Sequence, residues 1–171
     1  MFYVSTCFED IKICSVESED ILIVEKWLKL QEDNDVNINE KIDVSYLYER
    51  FCEYYNSESE FFLRVNKGEA IIGIIKGRLE FKNPNEVWIW CFLIDKKYRY
   101  NGIESKILEQ LSKHFIQKHG IYSFCTGISE KDKEALKFWS SNKFELVRIS
   151  KNFFYKDGQT EDMIVLKRQG L

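Results

Sequence analysis

One stretch limits the fold more than any other. Val87 to Ile94 (VWIWCFLI) is apolar and β-rich, and it runs into a basic turn. Arg99, Asn101 and Gly102 follow, and then a helical pattern with Ile103, Ile107, Leu108, Leu111 and Phe115 on one face. Gly120 stands where such a helix ends, and Ile121 to Ile128 reads as a second strand. Two neighbouring strands joined by a helix are parallel, and the crossover is right-handed. A helix that opens beside a glycine straight after a strand also offers an anion site. Its first N–H groups have no internal partner, its dipole is positive at that end, and glycine lets a phosphate approach the backbone.

The remaining pattern is mostly local and antiparallel. Ile11 to Val16 alternates as a strand, and Glu17 to Leu30 reads as an amphipathic helix with Ile21, Val24, Trp27 and Leu28 on one side. Gln31 to Lys41 is polar and turn-rich, hence a loop, and Ser45 is a candidate cap for a second helix reaching about Tyr55. Phe61 to Val65 pairs with Ala70 to Phe81 through an Asn66–Lys67–Gly68 turn. Pro84 lies in the turn before the Val87 strand. Lys133 to Ser141 is a short helix, and Phe144 to Tyr155 and Met163 to Lys167 are closing strands around Lys156–Asp157–Gly158. The order βααβββαβαββ predicts an α/β (α+β mixed) fold, with a mostly antiparallel central sheet of about six or seven strands and helices on both faces.

At 171 residues the chain is long enough for one domain with a full core, expected to span 1–171. No run approaches the roughly 18 apolar residues of a membrane span, and MFYVSTCFED lacks the basic start of a signal peptide. Cys7, Cys14, Cys52, Cys91 and Cys125 make an odd set without C-x-x-C spacing, which suits a reduced cytoplasmic protein. His114 and His119 are five apart, unsuited to a zinc pair, so no metal is expected. Charge is divided unevenly. Residues 17–60 hold thirteen acids against Lys26, Lys29, Lys41 and Arg50, a balance of −9. Residues 61–171 hold thirteen acids and twenty bases, a balance of +7. A basic C-terminal part suits an anionic cofactor; an acidic N-terminal part suits a cationic acceptor or is a solvated surface. No basic stripe interleaved with aromatics points to nucleic acid.

Three ordered segments carry a family resemblance. Ile94-Asp95-Lys96-Lys97-Tyr98-Arg99-Tyr100-Asn101-Gly102-Ile103-Glu104 resembles the acyl-CoA pyrophosphate loop, R-x-x-G-x-(G/A), of the GNAT acyltransferase superfamily. Ala135 to Phe144 (ALKFWSSNKF) is similar to that family's A-x-x-F-Y-x-x-x-G-F segment, and Asn152 to Leu166 to the closing hairpin of the subgroup that acetylates protein N-termini. The resemblance covers roughly the second half of the chain. It implies a GNAT-like sheet with a V-shaped splay, acetyl-CoA as co-substrate, and direct acetyl transfer to a primary amine. The acceptor is then a small cationic amine or a basic peptide, and a homodimer stays open.

Residue by residue, the resemblance assigns cofactor contacts to Phe92, Leu93, Ile94, Arg99, Tyr100, Asn101, Gly102, Ile103, Glu104, Ser105, Asp132 and Trp139. The Phe92 backbone N–H would polarise the thioester carbonyl. The amides from Tyr100 to Ser105, with the Arg99 side chain, would hold the pyrophosphate. Two departures stand out. Glu104 replaces the family's Gly or Ala, and Trp139 replaces a tyrosine that protonates the leaving thiolate; indole N–H is a poor acid. The general base is unassigned, because Trp88 and Gly127 occupy the usual glutamate positions. Glu80, Glu86, Asp95, Tyr122 and Tyr155 are the nearby proton carriers, and Cys91 and Cys125 read as inert strand thiols. Two functions therefore stay open: an N-acetyltransferase, or a degenerate relative that binds CoA or a peptide without turnover.

Overall fold

The structure is a computed structural model that describes residues 1–25, 44–156 and 158–170. Its elements are β1 (Ser5–Phe8), β2 (Ile11–Ser15), α1 (Val44–Asn56), β3 (Glu60–Lys67), β4 (Ala70–Glu80), β5 (Glu86–Ile94), α2 (Ile103–His119), β6 (Ser123–Ser129), α3 (Lys133–Ser141), β7 (Glu145–Lys156) and β8 (Gln159–Gln169). Single 3-10 turns lie at Ser18–Asp20 and Lys96–Tyr98, and residues 21–25 are helical. The sheet has eight strands in the order β1-β2-β3-β4-β5-β6-β8-β7. Contacts divide the chain into two compact units, residues 1–78 with 91–111, and residues 79–90 with 112–171.

The first unit is an antiparallel meander. β1 pairs with β2, β2 with β3 and β3 with β4. Val16, Ile21, Val24, Leu47, Phe51 and Tyr54 pack on Phe62 and Ile74, which sets α1 against one face of β3 and β4. β3 is buried on both faces, from Phe61 to Leu63 and at Val65 and Asn66, as a strand covered on both sides must be. The start of α2 is tied to β1: Gln110 donates to Thr6 at 2.6 Å, and Lys106 pairs with Glu9 at 2.9 Å.

The second unit holds the parallel pair, Glu86↔Ser123 to Ile89↔Thr126, with β8 antiparallel to both β6 and β7. Phe115 packs on Phe124, and Trp139 meets Phe144 edge-on at 4.8 Å. Arg168, buried, lies 5.4 Å over the Phe124 ring and 5.2 Å over Phe144, while donating to the Ser112 hydroxyl and the Asn142 carbonyl. That guanidinium, stacked on two rings and hydrogen-bonded, is how a charge is tolerated in this core.

Several expectations change. The sheet has eight strands, not six or seven, because Ser5–Phe8 folds back on β2 through Glu9, which takes φ 49°. Four residues of half-exposed pattern give no strand signal by themselves. Ser45 lies inside α1, which begins at Val44. The last strand is Gln159–Gln169 rather than 163–167, since its polar ends are held by pairing with β7. The second half of the expected 17–30 helix, the 31–41 loop and Asp157 of the last turn lie outside the described residues.

Candidate functional site

β5 leaves its parallel ladder at Ile89 and continues to Ile94. Its far end is fixed by β4. Ile72 is skipped in the β3–β4 ladder, and its carbonyl accepts the Asp95 N–H at 2.8 Å. Gly73 comes so close that a Cβ there would stand 2.6 Å from the Leu93 carbonyl oxygen and 2.5 Å from the Ile94 Cδ1. The main chain of residues 92–94 is thus held from behind by a glycine that sequence reading did not single out.

After β5 the chain makes a 3-10 turn, capped by Asp95, whose carboxylate accepts the Lys97 N–H at 2.9 Å. Arg99 turns back, and its Nε donates to the Ile94 carbonyl at 2.6 Å. Tyr100 and Gly102 both stand at positive φ, 66° and 74°, with one residue between. For tyrosine that conformation costs about 1–2 kcal/mol; for glycine it costs little. The turn lays out successive amides, and α2 begins at once. The first α2 bond is Lys106 N–H to the Gly102 carbonyl, so the amides of Ile103, Glu104 and Ser105 precede the helical ladder. The Glu104 carboxylate accepts the Tyr100 N–H at 3.0 Å. A side-chain anion therefore sits on one of the amides that the resemblance gives to a pyrophosphate.

Phe92, Leu93, Ile94 and residues 99–105 all fall in the first unit, as one strand–turn–helix. Asp132 and Trp139 fall in the second. Asp132 is the N-cap of α3 and accepts from Ala135 N–H at 2.9 Å. Trp139 is 4% exposed and packs in the core against Phe138 and Phe144.

The neighbouring acids are committed elsewhere. Glu86 accepts from Lys167 Nζ at 2.6 Å and lies 3.8 Å from Lys82, which also pairs with Glu80. The Glu86 carboxylate is thus engaged by two lysines. A Cβ at Gly127 would stand 2.6 Å from Met163 Sδ, so a side chain there would have to displace Met163. Trp88 Nε1 is buried without a hydrogen-bond partner among the described residues. Tyr122 and Tyr155 are 59% and 77% exposed. Burial, then the nearby Glu86, pushes the Cys125 thiol up to about 11, and burial also raises that of Cys91. Both stay protonated at neutral pH.

A second polar cluster ties the 129–132 loop to the closing hairpin. Glu161 takes Ser129 and Lys131, while Asp162 takes Lys151 and the Asn152 N–H. The Lys151 ammonium, then the Asn152 amide, hold the Asp162 carboxyl below its usual range. No group of three or more His, Cys, Asp and Glu residues that could hold a metal occurs among the described residues, and no helix there is long and apolar enough to cross a membrane.

Comparison with known proteins bears on the family and the fold. The acetyltransferase (GNAT) domain family matches residues 13–165. No curated protein matches the chain. Among solved structures, the Salmonella typhimurium acetyltransferase that modifies the N-terminal serine of ribosomal protein L7/L12 superposes with TM-score 0.83 at 12% identity, over 95% of this chain and 96% of that one. RimL, the L7/L12 α-N-protein acetyltransferase, in complex with coenzyme A also gives 0.83, at 13% identity over 96% and 97%. A chimera of the Vibrio cholerae spermidine N-acetyltransferase gives 0.77, at 11% identity over 94% and 96%. At such identities the likeness is one of fold.

Proposed function

The chain belongs to the GNAT acetyltransferase family, and we propose that it moves an acetyl group from acetyl-CoA to a primary amine of a cationic acceptor, with residues 1–171 acting as one acyltransferase domain in the cytoplasm. The observation that carries this reading is the strand–turn–helix from Phe92 to Ser105. Tyr100 and Gly102 at positive φ present amides ahead of α2, beside Lys96 and Lys97. Such a concavity suits a pyrophosphate. The Phe92 N–H polarises the thioester carbonyl, and Leu93 and Ile94 offer main-chain groups to the pantetheine arm. Arg99 acts through the Ile94 carbonyl as well as by its charge. Acetyl-CoA supplies the activated acyl group.

The chemistry beyond that is thinly provided. An amine of pKa about 10.4 must lose a proton before it attacks. With Glu86 between two lysines and Asp95 capping a turn, solvent carries that proton. The thiolate leaves without an acid, which slows transfer but does not forbid it. A second reading, CoA binding without turnover, is favoured by the burial of Trp139. Thiol release from acetyl-CoA across a panel of amines separates the two. Release with at least one cationic amine is expected, and none with any amine leaves only the second reading.

The acceptor follows from charge. Acids concentrated in residues 17–60 raise the local concentration of a protonated amine, and aromatic faces there add cation–π contact. The similar structures described above are of enzymes that act on a protein N-terminal serine and on spermidine, both amines. Added salt is expected to raise the Michaelis constant, as is Asp33→Lys with Asp35→Lys, while CoA affinity holds. A preferred acceptor that is neutral or anionic would refute the assignment.

Two residues can be tested at once. Glu104→Ala removes a negative charge and releases the Tyr100 amide, so CoA binds more tightly, most of all at low salt. Losing an acid from the first turn costs the helix about 0.3–1 kcal/mol, visible as a small fall in melting temperature. Looser CoA binding in that variant would instead show Glu104 holding the loop in its binding shape. Trp139→Phe keeps most of the rate per folded molecule and loses on the order of 1–2 kcal/mol of stability, since the indole is core. A large rate loss at unchanged stability would mean that the indole N–H serves the reaction.

A further inference from the structure

Lys76 stands on β4 opposite Phe62 of β3, and its Nζ lies 5.3 Å over the Phe62 ring. That ring is buried in the apolar cluster that α1 shares with β3 and β4, so the half-buried ammonium rests on a hydrophobic bed. Among the described residues no carboxylate pairs with it. The other charged or titratable groups around this face are Arg64, Arg78, Tyr54, Cys52 and Cys91. Arg64 is balanced by Asp20 at 2.9 Å, and Arg78 is exposed. A cation without a counter-ion, partly withdrawn from water over an aromatic ring, keeps much of its field.

This charge lies beside the part of β5 that is proposed to meet the thioester. Ile72 meets Asp95, and Gly73 meets Ile94, where β4 runs along β5. The same register, continued away from the turn, brings Lys76 opposite Cys91. Among the described residues Lys76 is the one charge that bears on the Cys91 thiol, working against the larger effect of burial. Phe92 comes next, and its N–H is the group proposed to polarise the thioester carbonyl. The thioester sulfur is bonded to that carbonyl carbon, so it lies on the order of 5–10 Å from the ammonium, one strand away. We infer that Lys76 stabilises the thiolate that leaves acetyl-CoA, a task left vacant by the tyrosine that Trp139 replaces. The inference rests on the transferase reading for its chemistry. The amine nitrogen bonds to the acetyl carbon, the C–S bond breaks, and its electron pair leaves with sulfur. The amine's proton goes to solvent, and Lys76 keeps its own. A fixed positive charge beside the sulfur lowers the energy of the anion as it forms.

The test is a titration of bound CoA, read by the ultraviolet absorbance of its thiolate and corrected for the protein without CoA. On the unmodified chain the CoA thiol is expected to titrate about one pH unit below that of CoA on Lys76→Met, which keeps the stem over Phe62 and loses the charge. Lys76→Met also lowers kcat about tenfold near neutral pH, with little change in the Michaelis constant for the amine. Lys76→Arg keeps both near their unmodified values, and circular dichroism checks that both variants fold. Equal thiol titrations with and without the Lys76 charge overturn the inference, as does a kcat that Lys76→Met leaves unchanged. If the chain binds CoA but transfers nothing, the transferase reading fails, and the titration alone decides for or against Lys76. If it binds no CoA, both fail.

Discussion

Gly73→Ala lowers the melting temperature by about 2–12 °C and weakens CoA binding with it. The added Cβ meets the Leu93 carbonyl oxygen at 2.6 Å, and that atom is backbone. Either β4 or the end of β5 must move. Overpacking of this kind costs about 1–3 kcal/mol, and at this chain length each kcal/mol is about 2–4 °C. Because Leu93 is one of the residues proposed to meet the pantetheine arm, the displacement falls on the site as well as on the core. Gly127→Ala is the control. Its Cβ meets Met163 Sδ, the far part of a flexible side chain, so the loss there is smaller. Thermal melts of both variants decide the matter. Equal losses at the two positions, or none at Gly73, would show that β5 is not held by this contact.

Coenzyme A at a hundred times its dissociation constant adds about 2.7 kcal/mol of stability, a rise of roughly 5–10 °C. Gly102→Val removes most of that rise. No atom crowds a Cβ at Gly102, so the cost is conformational: φ 74° is forbidden ground for a β-branched residue, and the turn must reshape. A melt without ligand measures the fold, and the shift with ligand measures the site. Absence of any shift with the unmodified chain at millimolar CoA would sink both the transferase reading and the binding-only reading. A full shift in Gly102→Val would place the pyrophosphate elsewhere.

Much of this protein was legible in local pattern. The β5–α2–β6 unit, the helix 133–141 and the meander at 60–80 appear within a residue or two of where periodicity and turn residues put them. Burial along one face has a period that the chain displays in its own order, so it can be read without knowing what it packs against. The strand–turn–helix with Arg99 and Gly102 is local in the same sense. It spans a dozen residues, and its chemistry lies in backbone amides that any such turn exposes.

Roles that depend on partners distant in sequence were settled only by the tertiary structure. The four residues of β1 became a strand because β2 offered a ladder, not because of their own pattern. Gly73 reads as one more glycine until Leu93 is placed behind it. Glu86 reads as a candidate base until Lys167, eighty-one residues away, is found on its carboxylate. Asp132 and Trp139 keep their places in a family pattern, yet one caps a helix and the other fills a core. The physical reason is the same in each case. A side chain's energy of ionisation, exposure and hydrogen bonding is set by the atoms within a few ångströms of it, and those atoms are assembled by the fold.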